Sequence, residues 1–237
     1  MSERPKLVIV ETGVANLASV RALAERLGME PLVSANPEEV VRAQTVILPG
    51  VGAFGPAMQK LKDYHLDAAL RARVAEGLPT AGICLGMQLF FETSEESEGV
   101  DGLGVFQGKV RRLEGGLPLP QLGWNRIEPD AGARLLQPGW VYFANSYGVS
   151  ADSFPELLHE DGGAEREPAR RGAAGGLFEH IAAAITTYGG PFVSAIEAWR
   201  DDRPSLLLCQ FHPELSGVFG TQLFARWLEL NGARRPL

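Results

Sequence analysis

Thr80-Ala81-Gly82-Ile83-Cys84-Leu85-Gly86-Met87-Gln88 passes from a short apolar run into a helix-compatible stretch, with a thiol at the junction between two glycines. The spacing Gly-x-Cys-x-Gly is the cysteine version of the nucleophile elbow, the strand-to-helix turn that lifts one side chain above the end of a sheet. The nucleophile of an elbow is held in a strained backbone conformation. Residues without side chains two positions on either side let the strand and helix close together. A helix start beside the sulfur also favours the thiolate, the reactive form.

Reading outward, Leu7 to Val10 forms a buried strand, and Leu17, Val20, Leu23, Ala24 and Leu27 recur at helical spacing. Pro31 to Ser34 and Thr45 to Leu48 are further strands, separated by Asn36-Pro37-Glu38-Glu39, a helix N-cap with proline in the first turn. Helical stretches follow at Pro56 to Leu61 and Leu66 to Ala75, and Thr80 to Ile83 is the fourth strand. Uniformly apolar strands alternating with helices predict a parallel sheet covered on both faces, a doubly wound α/β fold. In such sheets ligands bind at the carboxyl ends of the strands, where Pro49-Gly50-Val51-Gly52 and Cys84 fall.

Beyond Val105 strands dominate: Val105 to Leu113, Gly123 to Ile127, Trp140 to Tyr147, Ala183 to Tyr188, Phe192 to Trp199 and Leu206 to Phe211. They extend the sheet into a mixed, largely antiparallel half. A final helix takes its apolar face from Val218, Leu223, Phe224, Trp227, Leu228 and Leu230, and Gly232 ends it. His159 to Gly176 holds five Gly, seven charged residues, four Ala and no large apolar residue, so it cannot anchor to a core. Residues 153–182 are therefore expected to be a flexible, low-complexity surface insertion in one domain spanning 1–237.

The 45% apolar and 22% charged content is that of a globular protein, and the net charge of −7 offers a nucleic-acid backbone little attraction. The N-terminal apolar run is too short for a signal-peptide core, and no later one approaches the roughly 18 residues of a membrane helix. A cytoplasmic protein without membrane or nucleic-acid partners is expected. No disulfide is expected of Cys84 and Cys209, and four scattered histidines give a metal site no support.

A thiol nucleophile needs a base. Only His212 lies just past the end of an apolar strand, in Gln210-Phe211-His212-Pro213-Glu214, and Glu214 is placed to hold the far ring nitrogen as the third member of a triad. Alone, His-Pro-Glu is equally readable as a capped loop; the elbow gives it weight. His65 falls in a polar helix start, and His159 and His180 flank the insertion. Cys209, in an unbroken leucine run, is assigned to core packing. Gln88, four residues past Cys84, shares its helix face and can turn its amide toward a bound substrate, helix solvation being the bland alternative.

Gly-Ile-Cys-Leu-Gly-Met-Gln with a distant Phe-His-Pro-Glu resembles the class I, triad-type glutamine amidotransferases. Pro49-Gly50-Val51-Gly52-Ala53-Phe54, Leu122-Gly123-Trp124-Asn125, Thr187-Tyr188-Gly189 and Gly13-x-x-Asn16-Leu17-x-Ser19-Val20 resemble one family within them, the glutaminase subunit of imidazole glycerol phosphate synthase in histidine biosynthesis. The resemblance implies that Cys84, His212 and Glu214 release ammonia from glutamine through a thioester, without a cofactor or metal. It also implies an oxyanion hole of the Val51 and Leu85 N–H groups, with Gly52, Ser146 and Tyr147 as further substrate contacts. The implied partner is a cyclase of (β/α)8 barrel fold that takes the ammonia in a heterodimer. The chain departs from the family at Glu11-Thr12 (usually Asp-Tyr), Ala15 (Gly), Asn145 (His) and Leu215 (Lys). Other glutaminases of the same fold, or a non-catalytic module of that fold, remain the alternatives.

Overall fold

The computed structural model describes residues 7–11, 17–153 and 176–233. Its first half follows the βα alternation of the sequence. Strands β1 (Leu7–Val10), β2 (Pro31–Ser34), β3 (Thr45–Leu48) and β4 (Thr80–Ile83) are interleaved with helices α1 (Leu17–Arg26), α2 (Pro37–Arg42), α3 (Phe54–Asp63) and α4 (Leu66–Ala75). A one-turn helix α5 (Leu85–Gln88) follows the elbow. The strand-rich half comprises β5 (Phe91–Ser94), β6 (Phe106–Arg112), β7 (Gln121–Pro129), β8 (Gly139–Asn145), β9 (Tyr147–Ser150), β10 (His180–Tyr188), β11 (Gly190–Arg200) and β12 (Arg203–Cys209), closed by α6 (Gly217–Leu230).

The twelve strands among the described residues belong to one sheet, whose main path runs β2-β1-β3-β4-β12-β11-β10-β7-β8. From β2 to β12 every pairing is parallel, and from β12 to β8 every pairing is antiparallel. The β5, β6 and β9 group joins through β9, which pairs with β11 at Phe192 and Val193. The expected doubly wound, mixed sheet is what the chain forms. β12 is its pivot: it lies parallel to β4 and antiparallel to β11, so the carboxyl ends of β4 and β12 lie side by side.

Both faces of the parallel half of the sheet are covered, and the alternation within β1 shows it. Val8 and Val10 pack with α2, α3 and α4 through Val40, Met58, Leu61 and Leu70, while Leu7 and Ile9 pack with α1 and α6 through Leu23, Leu223, Phe224 and Trp227. Asn36 caps α2 as its sequence suggests, its side-chain oxygen accepting from the Glu38 N–H at 2.9 Å. At the other end of α2 the buried Arg73 guanidinium donates to the carbonyls of Val40 and Ala43, and also to that of Pro79 just before β4. A cation on exposed helix carbonyls is favourable, and this one ties α4, α2 and β4 together.

Some sequence expectations need correction. β5 was hidden because Phe91-Glu92-Thr93-Ser94 is short and directly follows the elbow helix. Trp140 to Tyr147 is not one strand, since a bend at Ser146 separates β8 from β9. Val218 is 71% exposed and Leu230 is 38% exposed, so neither belongs to the buried face of α6. The insertion cannot extend to residue 182: Phe178 is buried and stacks on Phe106 with ring centroids 6.3 Å apart, and β10 begins at His180. Residues 154–175, with His159, lie outside the described residues, as do Gly13, Asn16, Thr12 and Ala15. No helix among the described residues is long and apolar enough to cross a membrane.

Candidate active site

Cys84 stands between β4 and α5 with φ 54° and ψ −114°, a backbone conformation that costs an L-residue of order 1–3 kcal/mol. The flanking glycines explain how the elbow closes. A Cβ on Gly82 would lie 2.9 Å from the Gly86 carbonyl oxygen and 2.9 Å from Leu208 Cδ2, and one on Gly86 would overlap the Leu48 carbonyl. The Cys84 N–H donates to the Cys209 carbonyl at 2.7 Å, so the elbow is clamped to the end of β12. Because α5 is a single turn, the dipole support for a thiolate is confined to one turn, smaller than a full helix would give.

β12 delivers the second group. Three residues past its end, His212 is buried and its Nδ1 is 2.8 Å from Glu214 Oε1, across the one-turn 3-10 helix Pro213–Leu215. With Nδ1 taken, Nε2 is the nitrogen left to serve Cys84. The backbone is pinned too: the His212 N–H donates to the Tyr142 carbonyl at 2.9 Å, and Ser216 Oγ donates to the His212 carbonyl at 2.6 Å while accepting from the Tyr142 N–H. Ser216 carried no recognisable signal in the sequence. Burial by itself would push the His212 imidazolium down, but the hydrogen bonds and charges of Cys84 and Glu214 outweigh it and hold the group up at about 10. Cys209 is fully buried, and burial foremost, then Glu214, pushes its thiol well above the usual value. It remains a core thiol, as its leucine-rich context implies.

The loop after β3 reaches the elbow from the other side. A Cβ on Gly50 would lie 2.7 Å from the Gly86 nitrogen and 2.8 Å from Leu85 Cβ, so Pro49-Gly50-Val51-Gly52 runs against the first residues of α5. The candidate oxyanion donors Val51 and Leu85 are thereby on adjoining segments. The Leu85 N–H is among the first of a helix and has no acceptor within it. The loop is held where it enters α3, because Glu96 and Ser97 accept from the Phe54 and Gly55 N–H groups at 2.8 and 2.9 Å, replacing a cap that Ala53 cannot provide. Gly52 follows with φ +94° and open space around it.

Gln88 corrects its sequence reading in part. It is buried, so helix solvation is excluded, and its Nε2 is already given to the Tyr147 carbonyl at 3.0 Å and Gln210 Oε1 at 2.9 Å. Both amide hydrogens are used, leaving only its oxygen for a substrate. The bond to Tyr147 brings the Ser146–Tyr147 bend beside the elbow, and the Ala144 carbonyl lies 3.9 Å from Cys84 Sγ. Asn145 Nδ2 also donates to Tyr147 O at 3.0 Å. His65 is an exposed residue at the start of α4, and His180 Nε2 contacts the Gly132 carbonyl at 2.8 Å; neither approaches the elbow through any of these bonds. Among the described residues no three His, Cys, Asp or Glu side chains gather as metal ligands.

Next to the site, the outer face of the β7–β8 hairpin is apolar and open. Leu122, Trp124 and Trp140 are more than half exposed, and Trp124 meets Tyr142 edge to face at 6.1 Å. Leu215 and Val218, on the segment after the candidate triad, are exposed as well.

A thiol on a strained elbow, an imidazole at its sulfur and a carboxylate behind that imidazole can carry out acyl transfer through a covalent thioester. The comparisons agree with that chemistry. The family model of CobB/CobQ-like glutamine amidotransferase domains matches residues 8–114. The chain is similar to imidazole glycerol phosphate synthase subunit HisH of Symbiobacterium thermophilum, 40% identical over 226 residues that cover 94% of this chain and 92% of that protein. It is 38% identical to the HisH subunit of Thermosynechococcus vestitus, covering 95% and 97% of the two chains. Against the HisH subunit of Yersinia pseudotuberculosis the identity is 35%, with coverages of 94% and 99%. Among solved structures, a glutamine amidotransferase aligns with a TM-score of 0.64 at 19% identity, covering 95% of this chain and 98% of that one. A chain of PurLQS from Thermotoga maritima aligns with a TM-score of 0.60 at 14% identity, covering 96% and 99%. At those identities the two structures speak for the fold alone.

Proposed function

Because this chain belongs to the family of HisH subunits of imidazole glycerol phosphate synthase, we propose that it is the glutaminase of such an enzyme, one domain over 1–237 with Cys84, His212 and Glu214 as its triad. The observation that carries the assignment is the Cys84 thiol at a positive-φ elbow, with His212 interacting with it and held from behind by Glu214 at 2.8 Å. With His212 held up at about 10, the ring carries a proton near neutral pH, and the reactive form pairs it with the sulfur of Cys84 as thiolate. The sulfur attacks the glutamine side-chain carbonyl, and the oxyanion is held by the Leu85 and Val51 N–H groups. His212 then gives its proton to the leaving ammonia. The neutral ring next takes a proton from water, which cleaves the glutamyl thioester to glutamate and restores the starting pair. Gly52, Ser146, Tyr147 and the oxygen of Gln88 are the proposed substrate contacts, and no step calls for a cofactor.

Ammonia freed at Cys84 goes to a cyclase on a separate chain, which forms imidazole glycerol phosphate and an aminoimidazole carboxamide ribotide in histidine biosynthesis. The apolar face of Leu122, Trp124, Tyr142 and Trp140 supports a partner docked beside the site, since a large aromatic patch on a charged surface is costly to leave in water. Leu215 makes the edge of that face apolar where the resemblance leads one to expect a lysine. Reaction in the cytoplasm fits two cysteines that are both free thiols. The test is glutamate release by the chain mixed with the cyclase and its ribotide substrate. Release that disappears in Cys84→Ala supports the assignment; release that survives the substitution rejects the triad.

A further inference from the structure

Gln210 is fully buried at the end of the β12 segment, and its neighbours dictate which way its amide points. The constraint starts at the Tyr147 carbonyl, which can only accept, so Gln88 must present its nitrogen there, at 3.0 Å. The same nitrogen lies 2.9 Å from the Gln210 amide, which must answer with its oxygen. Reversing Gln210 would set two N–H groups face to face in a buried site. Its Nε2 is therefore directed away from Gln88, and it lies 3.8 Å from Cys84 Sγ. The Gln210 backbone is fixed as well, its N–H donating to the Ser194 carbonyl at 2.9 Å.

We propose that Gln210 is a further catalytic residue, donating an N–H to the sulfur of Cys84 and stabilising its thiolate, and that Gln88 is a positioning residue acting through it. The proposal rests on the reading that Cys84 is the nucleophile. The titratable group at the sulfur is His212, with Glu214 behind it, and the buried Cys209 belongs to the same packed cluster as Cys84. Among these His212 is the only cation, and it stands alone beside the thiolate before attack and again as the thiolate leaves the thioester, so a second donor at the sulfur assists both steps. A neutral amide donor does not change its protonation during the cycle. A donor to an ionised acceptor is about twice as strong as one to a neutral acceptor, so the contact favours thiolate over thiol. In a buried setting that difference is larger than in water.

The test is the pH dependence of Cys84 alkylation by iodoacetamide in the full chain, followed by peptide mass spectrometry so that Cys84 is counted apart from Cys209. Gln210→Glu keeps the oxygen that Gln88 needs and removes the donor. Gln210→Met removes both, and serves if the glutamate variant fails to fold. In either variant the midpoint of the alkylation profile should rise by about one pH unit, about tenfold less thiolate at a fixed lower pH. Turnover of glutamine with the cyclase should fall by about the same factor, with KM within about twofold. Gln88→Leu should move the midpoint the same way by a smaller amount; an unmoved midpoint there removes Gln88 from the role given to it. A folded Gln210 variant with an unchanged alkylation profile overturns the proposal, whatever its turnover. Alkylation requires neither glutamine nor a partner, so a wild-type chain that fails to hydrolyse glutamine with its cyclase would reject the proposed function separately.

Discussion

Replacing Gly50 by alanine should disable the site through less than an ångström of movement. The added Cβ would lie 2.7 Å from the Gly86 nitrogen, against an ordinary contact of at least 3.4 Å, so the loop and α5 must separate by about 0.7 Å (3.4 − 2.7). Either side of that seam carries a proposed oxyanion donor, Val51 on the loop and Leu85 on the helix. Useful donors sit about 2.7–3.1 Å from the developing charge, and 0.7 Å more puts one of them at about 3.4–3.8 Å, beyond hydrogen-bonding range. Losing one donor costs about 2.7–4 kcal/mol, or 10²–10³ in kcat. Overpacking should also destabilise the fold by about 1–3 kcal/mol. Gly28→Ala is the matched control: at φ +75° with nothing near its Cβ, it strains the backbone far from the site and should reduce stability by about 1–2 kcal/mol with kcat intact. The assay pairs steady-state glutamate release with the cyclase present and urea unfolding of each variant. A Gly50→Ala protein with kcat within about threefold of wild type would refute the placement of the oxyanion loop, because the clash cannot be relieved without moving a donor.

Glu214→Gln should lower the His212 pKa from about 10, since the carboxylate on Nδ1 is one of the groups that raises it, and ring-proton NMR titration would read the shift directly. A raised histidine pKa stabilises the fold fully below the unfolded value of about 6.5 and ceases to do so as pH rises through about 10; the variant should therefore lose stability at neutral pH and show a weaker decline toward pH 10 in urea titrations. Its turnover should fall less than that of His212→Ala, because the carboxylate orients the ring while the ring moves the protons. A diazo-ketone analogue of glutamine should label Cys84 and spare the buried Cys209; mass spectrometry finding the label on Cys209 would reject the nucleophile. The chain alone should release glutamate slowly and accelerate when the cyclase binds ribotide, with the orientation of the Gly50–Val51 peptide as the gate; equal rates under both conditions would reject that gate.

The alternation of apolar strands and helical stretches sufficed to place β1 to β4 and their helices: β1, β3 and β4 are buried on both faces and read as short apolar runs, and β2, at the edge of the sheet and partly exposed, is placed by the alternation itself. The elbow was legible for a related reason: Gly82 and Gly86 sit where side chains would collide with Leu208 and Leu48, so the constraint is local and leaves its mark in a five-residue string. Gly50 is required by a close approach, since a Cβ there would lie 2.7 Å from the Gly86 nitrogen of α5. Contacts that depend on pairing across distant strands were not readable. Ser216 matters because β8 passes beside it, and Gln88 lost its free amide because β9 and Gln210 were brought to it by the sheet order. Gln210 did leave a trace, as a polar residue in the otherwise apolar run from Leu206 to Phe211. Glu197 left a similar trace, a carboxylate in the largely apolar run from Phe192 to Trp199, but not its partners: it is fully buried within β11, and it accepts from the N–H groups of Arg134, Leu135 and Leu136 and from Trp199 Nε1.

The most direct measurement compares two nitrogen sources in the reaction of the chain with its cyclase and ribotide substrate. Product is followed with glutamine and, separately, with an ammonium salt at high pH, for wild type and Cys84→Ala. The account predicts that wild type forms product from both, whereas Cys84→Ala forms it from ammonium alone, at the rate of the cyclase by itself. Glutamine-dependent product in the Cys84→Ala enzyme, or none in wild type where ammonium succeeds, would contradict it.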